Sequence, residues 1–243
     1  MRLHRFLALA GLGSRRDCEQ LILDGLVQIN GQRVTGLPAF VDPEADVVTV
    51  KGRKVGLANL VYYLVNKPKG VLCLERDPYG RQTVCDLVPS SPRVIPANAL
   101  EQEASGLVLL TNDRQLVSAL SSRSCPVKRV YSVTVKGPVN ATHIERIKKG
   151  AFLPDGRSQV ANVHVFACNQ KRSVMEIEVG PGMRCHVVQL LLRVGLDVVD
   201  VRMKALGPLG IKGLGMGLWR RLSAKEVAML KRAIGQGRPG KAG

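Results

Sequence analysis

Two adjacent arginines, Arg15 and Arg16, follow Ser14 where a helix is expected to begin, and Arg2 and Arg5 lie on the helical stretch before them. A helix N-terminus offers N–H groups to an anion, and guanidinium groups add bidentate hydrogen bonds. The cluster therefore has the chemistry of a phosphate seat, with a solvated charge cluster as the plain alternative. Thiols and imidazoles point to nothing comparable. Cys18, Cys73, Cys85, Cys125, Cys168 and Cys185 show neither CxxC pairing nor the dense spacing of a secreted scaffold, and the four histidines are scattered. Reduced cytosolic thiols and no metal site are the expectation.

The elements that must carry the arginines can be read from periodicity. Leu3, Phe6, Leu7 and Ala10 recur at helical spacing before Gly11 and Gly13 interrupt the run. Ser14 is a good N-cap for a second helix from Arg15, with Asp17 near its positive end, Cys18, Leu21 and Ile22 on a buried face, and Asp24-Gly25 as its stop. A strand LVQI, a tight turn at Asn30-Gly31 and a return strand QRVT follow, then VVTV at 47–50 and KGRKV. Residues 1–56 thus read as a small αα-plus-hairpin domain, and 57–60 as a linker.

From Val61 the pattern becomes β-rich. VYYLVN reads as a buried strand, KPKG as a turn, VLCL as another strand, and RDPYGRQTV as a loop with turn residues at its centre. GLVLLT, YSVTVKG and VMEIEVG read as strands, and QLVSALSS, ATHIERIKKG, VVQLLLRVG and SAKEVAMLKRAI as helices, the last capped by Ser223 with Glu226 in a capping box. Strands and helices mix without regular βαβ alternation, so the class is α+β with a mainly antiparallel sheet over 61–234. The residues 235–243, GQGRPGKAG, read as a basic disordered tail.

The chain of 243 residues carries a formal charge of +17, which implies a polyanionic partner. Eight Lys and Arg stand against six Asp and Glu up to residue 56, so +15 of the excess belongs to the rest of the chain. The larger domain itself is expected to lie along nucleic acid. Aromatic residues are only 4% of the chain, which argues against a single-strand binder working mainly through stacking. No apolar run approaches the roughly 20 residues of a membrane span. The N-terminal MRLHRFLALAGLGSRR mimics a signal peptide, but it lacks a cleavage site and runs into a helical pattern, so it reads as folded protein.

The stretch RLHRFLALAGLGSRRDCEQLILDGLVQINGQRV resembles the RNA-binding module named after ribosomal protein S-four, with Arg2, Arg5, Ser14, Arg15 and Arg16 at the matching RNA-binding positions. Leu26 departs from it, where a basic residue is common. NKPKG at 66–70, DPYGRQTVCDLVP, ASGLVLLTND at 104–113, VYSVTVKG and LGPLGIKGLGMGLWRRLSAKE together resemble the RsuA/RluB-type ribosomal RNA pseudouridine synthases.

That resemblance implies a loop reading G-R-L-D-x-x-T-S-G, whose aspartate attacks the target uridine, detaches the base and lets it rejoin through carbon. The matching stretch here is Asn98-Ala99-Leu100-Glu101-Gln102-Glu103-Ala104-Ser105-Gly106, with Glu101 at the Asp position and Ala99 at the Arg position. No Asp occurs between Asp86 and Asp113, so sliding the alignment restores none. The resemblance also makes Tyr131 the active-site tyrosine, a ring placed to stack beneath a flipped base. It makes Arg184 the first cation of a basic pair whose second position is Gln189, and it gives Lys67 and Lys69 as RNA contacts. The expectation is an rRNA-binding, ribosome-associated or assembly factor with weakened or lost catalysis. The alternative is an active synthase with Glu101 as nucleophile, and a module for transfer RNA or a stalled ribosome is a third reading. No cofactor or metal is implied, and a cytoplasmic monomer is expected.

Overall fold

A computed structural model describes residues 1–235 apart from residues 58, 123–124, 155 and 184. The chain divides into two compact units, Met1–Leu60 with Ser91–Arg93, and Val61–Ser90 with the chain from Val94 onward.

In the first unit, α1 (Leu3–Leu9) and α2 (Arg15–Leu23) accompany a four-stranded antiparallel sheet. Its strands are β1 (Val27–Ile29), β2 (Gln32–Val34), β3 (Val48–Val50) and β4 (Arg53–Val55), in the order β2-β1-β3-β4. The start of α2 is fixed by a reciprocal cap: Asp17 N–H donates to Ser14 Oγ at 3.2 Å, and Ser14 N–H donates to Asp17 Oδ2 at 2.7 Å. Asn30 and Gly31 both have positive φ, 51° and 82°, the turn whose twist suits two antiparallel strands. Leu3, Phe6, Leu7, Cys18 and Ile22 pack with Val27, Val41, Val48 and Val50 into one aliphatic core.

The second unit is built on β5 (Tyr62–Lys67), β6 (Ile95–Pro96), β7 (Ser105–Thr111), β8 (Arg129–Lys136), β9 (Ala151–Leu153), β10 (Gly156–Ser158), β11 (Asn162–Cys168), β12 (Arg172–Val179), β13 (Val198–Leu206), β14 (Leu209–Gly210) and β15 (Trp219–Arg221). The helices are α3 (Arg114–Ser121), α4 (Ala141–Lys149), α5 (Val187–Arg193) and α6 (Ala224–Gly235). The main sheet runs β11-β12-β8-β13-β7-β5-β15, with β14 on β13 and β6 on β7. Every pairing is antiparallel except β13 with β7, so the class is α+β with a mostly antiparallel sheet. β9 and β10 form a separate ribbon.

Strand composition follows position in this sheet. β7 is buried at every residue, which is why it reads as a continuous apolar run. β12 alternates buried and half-buried positions, the signature of a strand with one solvated face. Gly106 shows where the sheet tolerates no side chain: its φ is +113°, and a Cβ there would lie 2.3 Å from the Met203 carbonyl oxygen on β13. β7 and β13 meet in parallel at that point.

Two sequence expectations change. VLCL is not a strand of the sheet; Leu72 makes an isolated bridge to Thr83, because Leu72 N–H donates to Gln82 O and Val84 N–H donates to Leu72 O, closing the segment into a loop on itself. α6 runs on to Gly235, one residue into the expected tail, and residues 236–243 lie outside the described residues.

Candidate active site

Glu101 sits in the loop between β6 and β7, and that loop is held from three sides. Asn98 Nδ2 donates to Leu107 O at 3.1 Å while its Oδ1 accepts from Leu109 N–H at 2.9 Å, which pins the loop to β7. Gly70 N–H donates to Gln102 O at 2.8 Å and Gln102 Nε2 returns to Gly70 O at 3.1 Å. Lys67 Nζ reaches Val71 O at 2.8 Å, Pro68 O at 3.1 Å and Gln102 O at 3.3 Å. The KPKG turn and the Glu101 loop are therefore one clamped structure.

Lys67 is thereby corrected as an RNA contact. It is fully buried, its ammonium is spent on three backbone carbonyls, and no phosphate can reach it. Burial holds its pKa below the ordinary lysine range. Lys69 is partly exposed and pairs with Asp200 at 2.8 Å, also donating to Val199 O.

The Glu101 carboxylate is half-buried and turned to the start of α5, where Val188 N–H donates to Oε2 at 2.9 Å and Gln189 N–H to Oε1 at 3.2 Å. Burial raises its pKa above the usual Glu value, and those two amides and His186 pull it partly back. The Gln189 position thus meets Glu101 through its main chain.

Tyr131 lies on β8, opposite Ile177 of β12 and Met203 of β13, and is 4% exposed. Burial pushes its hydroxyl pKa well up, with Arg129 opposing. Glu101, Tyr131, Ala99, Asn98, Cys125, Arg129, Cys185 and His186 line one cavity of about 450 Å³. Arg184 lies outside the described residues.

Arg129 was not singled out in the sequence, although the period of two along RVY puts it on the face of Tyr131. Its Nη2 donates to Met183 O at 2.6 Å, and its Nε is buried with no hydrogen-bond partner among the described residues. Asn98 was missed for a different reason, since an amide that anchors a loop has no periodic signal. The cavity thus combines a carboxylate, a buried aromatic ring and a guanidinium.

In the other unit, Arg2, Arg5, Arg15 and Arg16 are all exposed, and none makes an ion pair among the described residues. Ser14 uses its hydroxyl oxygen as the helix cap, and Asp17 takes the Ser14 amide, so the guanidinium groups are the free anion-binding chemistry there.

Known proteins share this organisation. Residues 61–189 match the RNA pseudouridylate synthase family, and residues 1–45 match the S4 domain. The chain is 35% identical over 237 residues to an uncharacterized RNA pseudouridine synthase of Aquifex aeolicus, covering 97% of this chain and 95% of that protein. It is 30% identical over 240 residues to ribosomal large subunit pseudouridine synthase B of Bacillus subtilis, covering 98% of each. A crystal structure of a pseudouridylate synthase superposes with a TM-score of 0.60 at 22% identity, covering 95% of this chain and 99% of that one, a likeness of fold. With the family match spanning more than half of the chain and relatives aligned almost end to end, the protein belongs to the RNA pseudouridine synthases of the RsuA/RluB type, with an N-terminal S4 domain.

Proposed function

We propose that the protein is a ribosomal RNA pseudouridine synthase in which Glu101 is the reacting carboxylate. The observation that carries this reading is the shared cavity: Glu101 and Tyr131 line the same space, and the Glu101 loop is clamped to β7 and to the KPKG turn. A uridine swung out of its helix stacks on Tyr131, and Arg129 stands by for its polar edge or phosphate. The reaction is an isomerisation. The C–N glycosidic bond breaks, a C–C bond forms to the same ribose carbon, and the proton on the base carbon is replaced by one on the ring nitrogen. Atoms and electrons balance without an oxidant. Support for ribosomal RNA as substrate comes from the name of the Bacillus subtilis relative, aligned over 98% of both chains.

A second reading, a ribosome-associated factor with weakened catalysis, draws on one specific observation. Both Glu101 oxygens already accept main-chain N–H groups, and Ala99 supplies no guanidinium to orient or ionise the carboxylate. The two readings separate in one assay, in which unmodified ribosomal RNA fragments are incubated with the full protein and pseudouridines are mapped. Site-specific conversion by the wild type, lost in Glu101→Gln, supports the enzyme. Conversion only by an Ala99→Arg, Glu101→Asp double variant supports the weakened factor and rejects the first reading.

A further inference from the structure

Of the four tyrosines, Tyr79 alone is exposed, and at 83% it is the most exposed large hydrophobic residue described. Nothing in the fold uses its ring as core, yet the loop that holds it is rigidly built. Asp77, its side chain almost fully buried, accepts from Tyr79 N–H at 3.1 Å and from Arg81 N–H at 3.0 Å, both on Oδ2. Its two oxygens also take the Arg81 guanidinium, Nη2 at 2.8 Å and Nε at 3.1 Å. Arg81 and the loop amides hold the Asp77 carboxyl down to about 2, so the pair stays ionised at neutral pH. Gly80, at φ +73°, gives the loop the tight turn that this closure needs.

The same guanidinium lies 5.6 Å from the centroid of the Tyr79 ring. The stem of the loop is tied to the Glu101 loop through the Gly70–Gln102 pair and through Cys73 Sγ, which donates to Asn98 O at 3.3 Å. A flat ring braced by a cation, on a preorganised loop sharing its anchor with the candidate nucleophile, is not a solvated accident of sequence.

We propose that Tyr79, backed by Arg81, is a stacking platform for an unpaired RNA base beside the uridine that enters the cavity. This rests on RNA being the substrate. Swinging one nucleotide out of a helix leaves neighbours unpaired, and an exposed aromatic face stabilises such a base whatever its identity. The positive balance of the chain suits a polyanion better than the apolar patch of a protein partner, while Arg81, its charge matched by Asp77, serves to brace the ring.

The test measures binding of the full protein to an oligoadenylate of about twelve residues with a central 2-aminopurine, and to a fully paired RNA duplex of the same length. Tyr79 is too exposed for its replacement to endanger folding. Tyr79→Ala is expected to weaken single-strand binding about 10-fold, the order of one lost base–aromatic stack, and to abolish 2-aminopurine quenching. Duplex affinity should be unchanged, and Tyr79→Phe should behave as wild type. Wild-type affinity and quenching in Tyr79→Ala, or an equal loss on the duplex, overturns the platform. So does a loss of binding to ribosomal particles with oligoadenylate binding intact, which makes Tyr79 a protein contact. Because turnover is not read, a failed platform leaves the isomerase reading standing, and absence of isomerisation leaves the platform standing.

Discussion

In the role proposed for it, Glu101 meets two opposed demands, since a reacting carboxylate must be ionised while burial favours its neutral form. The amides of Val188 and Gln189 supply part of the charge stabilisation that a guanidinium at position 99 would give. Burial still dominates, and the pKa is raised. A carboxylate reacts only above its pKa, so the acid limb of the kcat/KM profile is expected to lie above the usual Glu range, and a pH series on an rRNA fragment measures it. The protonation sign for stability runs the same way: the folded state binds that proton more tightly, so stability falls as pH rises from the ordinary Glu value to the raised one. A limb at or below the ordinary value would remove Glu101 from the role. The added methylene of Glu is what brings the carboxylate under these amides, and Asp in an unchanged loop falls short by roughly 1 Å.

At the scale of elements, the site depends on close passage of β7 beside β13 and on the clamp between two loops. Gly106→Ala puts a methyl into the Met203 backbone and forces a residue at φ +113° to carry a side chain. The expected cost is about 3 kcal/mol, combining backbone strain with separation of the two strands. Urea denaturation of the variant against wild type checks it, and a loss under about 1 kcal/mol would mean that the parallel pairing is loose. Lys67 belongs to this scale too. A charged residue in a motif resembling a nucleic-acid enzyme invites a phosphate role, but burial and three carbonyl partners make it a staple between turn and loop.

For the whole molecule, the relevant quantity is charge distribution. The first domain carries only a small positive balance, yet its four exposed arginines are unpaired among the described residues. Reversing two of them, Arg15→Glu with Arg16→Glu, is expected to weaken RNA binding by about 3 kcal/mol, from charge-assisted phosphate contacts of roughly 1.5–3 kcal/mol each. The slope of log K against log salt should fall by about 2. Fluorescence titration over a salt series measures both, and an unchanged slope would put the RNA contact on the larger unit alone.

Local chemistry was legible in the chain by itself. The Ser14 cap, the Asn30-Gly31 turn and the Ser223–Glu226 box depend on residues a few positions apart, so their sequence is their structure. The presence of Ala99 and Glu101 in the stretch before β7 was visible too, because it is a matter of residue type. β11, β13 and β15 were not singled out: β11 is an edge strand exposed at most positions and β15 is only three residues long, whereas β13 does alternate from Val199 to Ala205 and its pattern was overlooked. Tertiary structure alone decided what the Glu101 carboxylate touches, that Arg129 shares its cavity, and that Lys67 faces inward. Each depends on groups brought together from distant parts of the chain, where burial, not residue type, sets whether a charge meets solvent, a carbonyl or a substrate.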